Sequence, residues 1–234
     1  MKRQYSQRIW ELDAIKGIAL ILMLYFHLVY DLDVIFQYDI DSSNLLNSLT
    51  AKASGSLFIL TAGISSYLTK DNGRRALKVL AFALLLTLIT YLYDPGMIIT
   101  FGILHLIGSS ILLGMLFKRL HPLLLILLGL IILFATPWLV SLPHPQNLLL
   151  FPLGIAPEIA GSSDYYPLLP WFGVFLLGNA LGKSLYREKR SLFSIDLSGS
   201  LLCKAGRKTL MIYLIHQPVL IGIIYAIRSI AGAN

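Results

Sequence analysis

Long apolar runs separated by short polar links set the pattern of this chain. Seven runs stand out, at about residues 14–36, 47–69, 76–94, 97–117, 121–142, 166–185 and 207–229. Each is near the ~20 apolar residues that a helix needs to cross a bilayer. The pattern predicts an all-α fold: a polytopic transmembrane helix bundle of about seven spans, making one domain over residues 1–234. The second run is rich in small residues (Ala53, Ser54, Gly55, Ser56, Gly63, Ser65, Ser66). Small residues let helices approach closely, so this span is expected inside the bundle rather than against lipid. The apolar stretch Leu148–Leu153 is too short to span and reads as a re-entrant or interfacial segment. Around it lie Pro143, Pro145, Pro152 and Pro157, and the tip Gly161-Ser162-Ser163-Asp164 reads as a turn into span six.

Composition agrees with this class. The 234 residues are 56% hydrophobic and only 13% charged, which excludes an ordinary soluble domain. The net charge of +7 is distributed by side. Lys2, Arg3 and Arg8 precede span one. Lys70, Arg74, Arg75 and Lys78 link spans two and three, and Lys118 and Arg119 follow span four. Lys183, Arg187, Lys189, Arg190, Lys204, Arg207 and Lys208 link spans six and seven. In a seven-span arrangement these fall on one face, which predicts a cytoplasmic N-terminus and an outer C-terminus. The first outer loop instead carries Asp31, Asp33, Asp39 and Asp41. Basic charge of this kind reports orientation and anionic lipid, and no basic segment carries the interleaved aromatics of nucleic-acid binding. The link 186–206 reads as a linker or a mobile cover. The first span reads as uncleaved, since no small-residue cleavage site follows its apolar region. The lone Cys203 forms no internal disulfide.

Candidate chemistry is concentrated in span one. Asp13, Lys16, His27 and Asp31 fall within an arc of about 60° on a helix turning ~100° per residue. Lys16 and His27 are separated by roughly 16 Å along the axis. Ionisable groups cost about 2.5–3.5 kcal/mol in a bilayer, so a one-faced column of them is a candidate site. Asp13 and Asp31 sit near the ends of the span, where solvation explains them as well as chemistry does. His27 is too deep for that explanation. His105 in span four is either a site residue or a buried imidazole bonded to a backbone carbonyl. In Tyr213-Leu-Ile-His216-Gln217-Pro218, Pro218 frees the carbonyl of Leu214, and His216 and Gln217 can satisfy local groups, so a structural and a functional reading both stand. Asp164, Tyr165, Tyr166 and Trp171 form a membrane-interface aromatic cluster with an acid at its mouth. No pair of these His residues has the i, i+3 or i, i+4 spacing of a helical metal site, so no metal is expected. Phosphate-loop, nucleophile-elbow and kinase motifs are absent.

Several of these segments resemble the heparan-alpha-glucosaminide N-acetyltransferase catalytic-domain family. They are the basic residue, Gly-Ile-Ala and following His of span one; Phe101-Gly-Ile-Leu-His105-Leu-Ile-Gly; Asp164-Tyr-Tyr-Pro-Leu-Leu-Pro-Trp171-Phe-Gly; and Tyr213-Leu-Ile-His216-Gln-Pro. The likeness runs from about residue 8 to 222. Span one is also similar to the wider transmembrane acyltransferase superfamily, which usually shows Arg where this chain has Lys16. Lys keeps the charge but loses the forked geometry.

The resemblance implies acetyl-CoA, an acyl-CoA, as donor from the cytoplasmic side. It implies an acceptor hydroxyl or amine on the outer side, in a glycan or lipid-linked sugar of the cell envelope. Larger members carry more spans and a luminal domain; this chain is expected to have neither, which points away from heparan and to a prokaryotic cell membrane. His27 would be general base or acyl carrier, with Asp31 orienting it and Asp13 beside it. Lys16, Arg8, Arg74, Arg75 and His105 would face the donor, and Asp164, Tyr165, Trp171 and His216 the acceptor. The other expected partners are membrane lipid and, as an open alternative, a second copy of the chain. Two other functions remain open: a small proton-coupled transporter using the same His and Asp residues, and a non-enzymatic scaffold. Transporters often carry paired broken helices in two halves, which this chain does not show.

Overall fold

The computed structural model describes residues 8–141, 148–155 and 162–231. Among these, the chain is all α apart from short 3-10 turns and one isolated bridge. The helices are α1 (Trp10–Tyr30), α2 (Leu45–Leu68), α3 (Asn72–Tyr93), α4 (Ile103–Leu116), α5 (Pro122–Ser141), α6 (Leu168–Leu185), α7 (Leu201–Arg207) and α8 (Thr209–Ala231). α1 runs on into a π-helical turn, Asp31–Ile35. Pro143, Pro145, Pro157 and Gly161 of the predicted loop, and Lys2 and Arg3 of the N-terminus, lie outside the described residues.

Every predicted run contains a helix, but two depart from the expected span. Among the described residues, five helices are long and apolar enough to cross a membrane: Trp10–Ile35, Asn72–Tyr93, Pro122–Ser141, Leu168–Leu185 and Thr209–Ala231. α4 has 14 residues, about 21 Å of helix, against a hydrocarbon core of ~30 Å. The first part of its apolar run is not helical: Pro95–Met97 is a 3-10 turn, and the segment after it is held by residues 162–166. α2 is long enough, and its Ser, Thr, Asn and Gly content keeps it from the apolarity of the other five.

Contacts divide the chain into two compact units. The first takes the residues up to Phe58 and those from Ser191 onward. Its core joins α1 to α7, with Leu12, Ala19, Leu20, Met23 and Cys203 buried. Two glycines bring the backbones of α1 and α7 together. A Cβ on Gly206 would lie 1.8 Å from the Asp13 carbonyl, and one on Gly17 would lie 2.4 Å from the Leu202 carbonyl. The link into α7 is docked, not a free linker. Glu11, buried in the first turn of α1, accepts from the Leu192 N–H at 2.8 Å and the Ser191 hydroxyl at 2.9 Å. Phe193 then rests on Trp10, and Ser200 caps α7 through the Cys203 N–H. Ser54 of α2 donates to the Ala19 carbonyl at 2.8 Å, so part of the small-residue face of α2 is turned to protein, as expected.

The second unit is Ile59–Arg190. α3 packs on α4, and α5 on α6. Small residues again set the approach: Gly63 of α2 meets the Phe175 carbonyl, Gly178 of α6 meets the Leu60 carbonyl, and Gly129 and Gly173 face each other. Asp71 caps α3 by accepting from the Arg74 N–H at 2.9 Å. Large apolar side chains on the outer faces, among them Phe134 and Leu92, are exposed, as a lipid-facing surface requires.

The Gly206 contact generates a test. Gly206→Ala must push α7 off α1 and is expected to cost about 2 kcal/mol or more. Gly222→Ala, which meets open space in α8, should stay within ~1 kcal/mol of the parent. Thermal melts of the two variants in the same detergent check the contrast.

Candidate active site

The column predicted on α1 resolves into two separate groups. At its lower end Asp13 is buried and accepts from Arg8 Nε at 2.7 Å, with Lys16 Nζ 3.9 Å from its other oxygen. Asp13, Arg8 and Lys16 therefore form one ion-pair cluster at the start of the helix. A buried acid with two cations is electrostatically complete, so Asp13 is committed there and is not part of the His27 group.

The upper group belongs to α1 and α8. The His27 and His216 rings meet edge to face with centroids 4.6 Å apart. His27 Nδ1 lies 2.9 Å from the Met23 carbonyl, and His216 Nδ1 lies 2.5 Å from the Tyr213 carbonyl. A carbonyl oxygen only accepts, so each Nδ1 carries the proton and each neutral imidazole keeps its lone pair on Nε2. His216 Nε2 is buried without a hydrogen-bond partner. Near Pro218, His216 satisfies a local group of its own helix, the Tyr213 carbonyl.

Asp31 completes the group in an unexpected way. It is fully buried, and one of its oxygens accepts from Gln217 Nε2 at 2.5 Å. The sequence suggests that Asp31 orients His27; its hydrogen bond goes to Gln217. Its second oxygen, Oδ2, and the Gln217 Oε1 are buried with no partner. Left unpaired in an apolar surround, such atoms cost about 1–3 kcal/mol each. Gln217 is the residue the sequence undervalued, because its pairing is with a residue 186 positions away.

The other predicted residues lie in the second unit. His105 Nδ1 accepts from the Gly102 N–H at 3.3 Å, and Nε2 is 3.2 Å from the Thr87 hydroxyl. That hydroxyl donates onward to the Ile99 carbonyl at 2.6 Å. Both ring nitrogens are therefore used in fixing the start of α4, which accounts for its burial; it holds structure where the resemblance assigned it to the donor. Asp164 also has a structural task. Its Oδ2 accepts from the Ile103 N–H at 3.1 Å and so caps α4, where the helix dipole favours a negative charge. Gly102 makes this possible, since a Cβ there would lie 2.4 Å from Asp164 Oδ2. Ser162 strengthens the tie by accepting from the Thr100 N–H. The Tyr165 hydroxyl donates to the Phe151 carbonyl at 2.6 Å, with the two rings stacked 4.5 Å apart. Trp171 packs on Tyr166 at 5.2 Å. Burial raises the Tyr165 hydroxyl above its ordinary value; burial and the Asp164 charge raise that of Tyr166 further. Both phenols stay protonated at neutral pH.

Of the two arginines, Arg75 is half-buried and donates to the Ser66 hydroxyl at 3.3 Å, and the Arg74 side chain is exposed near the start of α3. Beside them is a cavity of about 370 Å³ whose lining includes Lys70, Lys118, Lys183 and Lys189. Among the described residues, no group of three or more His, Cys, Asp or Glu side chains is arranged to hold a metal ion.

The long apolar helices and the desolvated His, His, Asp and Gln group define a multi-pass integral membrane protein with polar chemistry held between two of its helices. The chain belongs to the family described as heparan-alpha-glucosaminide N-acetyltransferase, catalytic, which it matches over residues 8–218. No curated protein and no solved structure matches it.

The cap on α4 predicts that Asp164→Ala lowers stability by about 1–2 kcal/mol, while Asp164→Asn, which keeps an acceptor oxygen, loses less. Thermal denaturation of the two variants in detergent measures the difference.

Proposed function

We propose that this protein is a membrane acetyltransferase that moves an acetyl group from acetyl-CoA to an amine or hydroxyl of a glycosamine-type acceptor. Family membership supports the reaction class. The observation that carries the assignment of residues is the pair of imidazoles, each locked by a helix carbonyl with its Nε2 lone pair unspent. In this reading His27 Nε2 takes the proton from the acceptor as its oxygen or nitrogen attacks the thioester carbon. The tetrahedral intermediate then collapses, the C–S bond breaks, and the proton on His27 passes to the departing CoA thiolate. Asp31, one turn along the same helix, supplies negative charge that stabilises the imidazolium in a water-poor setting. Gln217 is a positioning residue for Asp31, and His216 fixes the His27 ring edge. Asp13 keeps Arg8 and Lys16 at the donor end of α1.

The basic residues support a cytoplasmic N-terminus with donor entry on that side and an outward acceptor. The reading treats the whole chain as one transmembrane domain and counts α2 and α4 as crossings, giving seven. A glycan or lipid-linked sugar of a prokaryotic cell envelope fits an acceptor on the outer side.

His27→Ala should lower acetyl transfer to glucosamine by about 10²–10⁴-fold, with Asp31→Asn causing a smaller loss. Release of free CoA thiol from acetyl-CoA by the purified chain measures both. A His27→Ala protein that turns over at the parent rate removes the assignment. Acetyl retained covalently on the parent protein, and absent from the variant, would replace general-base catalysis by an acetyl-imidazole route.

A further inference from the structure

The lysine-lined cavity of the second unit has a composition that orientation alone does not explain. Its walls come from the end of α2 (Ser66, Tyr67, Thr69, Lys70), the start of α3 (Asn72), the second half of α4 with Lys118, and the end of α6 with Asn179, Lys183 and Lys189. Residues that only mark a membrane side can be solvated anywhere on that face. Here cations from three helix ends, far apart in sequence, converge on one concavity. At about 370 Å³ it lies within the ~300–1,000 Å³ of small-ligand pockets.

No carboxylate lines it. The nearest acids in sequence are engaged elsewhere: Asp71 caps α3, and Glu188 pairs with Arg190 at 2.7 Å. Lys183 is anchored, its ammonium donating to the carbonyls of Lys118 at 2.9 Å and Leu120 at 2.6 Å, so its charge is fixed at the wall. Lys189 lies over the Tyr67 ring at 5.9 Å. The cavity also holds an unspent polar group: Asn179 is 7% exposed, and its Oδ1 has no hydrogen-bond partner. The oxygen and nitrogen of an Asn amide exchange by a half-turn of the side chain, so this buried position can present an N–H to an anion.

We propose that this cavity is a binding site for a phosphate anion, held by Lys118 and Lys189 with Lys70 at the rim, Lys183 as fixed charge and Asn179 as the buried donor. Phosphomonoester, phosphodiester and diphosphate groups offer the acceptor oxygens that several ammonium groups and one amide need. Two sources share this chemistry: the phosphorylated nucleotide end of an acyl donor, which rests on the acetyltransferase reading, and the headgroup of an anionic phospholipid.

The test uses the full chain in detergent, with adenosine 3′,5′-bisphosphate as probe and adenosine as the phosphate-free control. Saturable binding of the bisphosphate is expected, weakening as salt rises, with adenosine not bound. Lys118→Ala with Lys189→Ala should weaken it by about tenfold or more, Asn179→Leu should weaken it as well, and His27→Ala should leave it unchanged. Melting curves of the variants confirm that they are folded. The lipid source is read in parallel by native mass spectrometry after incorporation into phosphatidylglycerol bilayers. Phosphatidylglycerol retained by the parent and lost from the double variant, without bisphosphate binding, assigns the site to lipid. Neither probe held, or both held equally by parent and double variant, overturns the proposal. Bisphosphate binding without any CoA release from acetyl-CoA would keep the site while removing the acetyltransferase reading.

Discussion

Polar groups surrounded by apolar side chains must find their hydrogen bonds inside the protein, and this requirement governs most of what is specific in the structure. His27 and His216 meet it by giving their Nδ1 protons to carbonyls of their own helices. His105 meets it with an amide on one side and a hydroxyl on the other. Three of the groups that fail to meet it, Asp31 Oδ2, Gln217 Oε1 and His216 Nε2, belong to the α1–α8 pair, and a fourth, Asn179 Oδ1, lines the lysine-rich cavity. The same rule therefore separates the two kinds of buried imidazole. His105 has no capacity left over, whereas the α1–α8 pair has its reactive nitrogens in reserve.

Much of the architecture was legible in the chain. Apolar runs of membrane length are a strong signal, and each contains a helix. Gly and Ser in α2 announced close packing because a missing side chain has only one steric use there. The length of α4 was not legible. Ile98 and Ile99 are as apolar as the helix that follows, and hydropathy carries no record that the Ile98 carbonyl is claimed by Ser163 and the Ile99 backbone by Thr87 and Thr90. The docking of residues 191–193 on Glu11 was equally hidden, since a polar Ser-rich link looks alike whether it is solvated or bound.

The candidate site was legible in half. The helical face of α1 gave His27 and Asp31, since both face and depth follow from period and position. It also drew in Asp13, which shares the angle but lies with Arg8 and Lys16 at the other end. The Gln217–Asp31 bond and the cavity lysines depend on which helices become neighbours, and one sequence holds no measure of that. Asp164 shows the opposite failure: an acid beside aromatic residues suggests a binding mouth, and here its carboxylate serves the first turn of a helix.

The tie between residues 98–103 and 162–166 has a consequence for how this chain tolerates change. Ser163 N–H reaches the Ile98 carbonyl, Tyr166 N–H reaches that of Phe101, and Asp164 reaches the amide of Ile103 past the bare Cα of Gly102. These bonds each pair one particular residue of either stretch with one of the other, so a single residue inserted or deleted in either would carry the carboxylate past its amide. Chain length in these two short stretches is thus fixed as tightly as residue type.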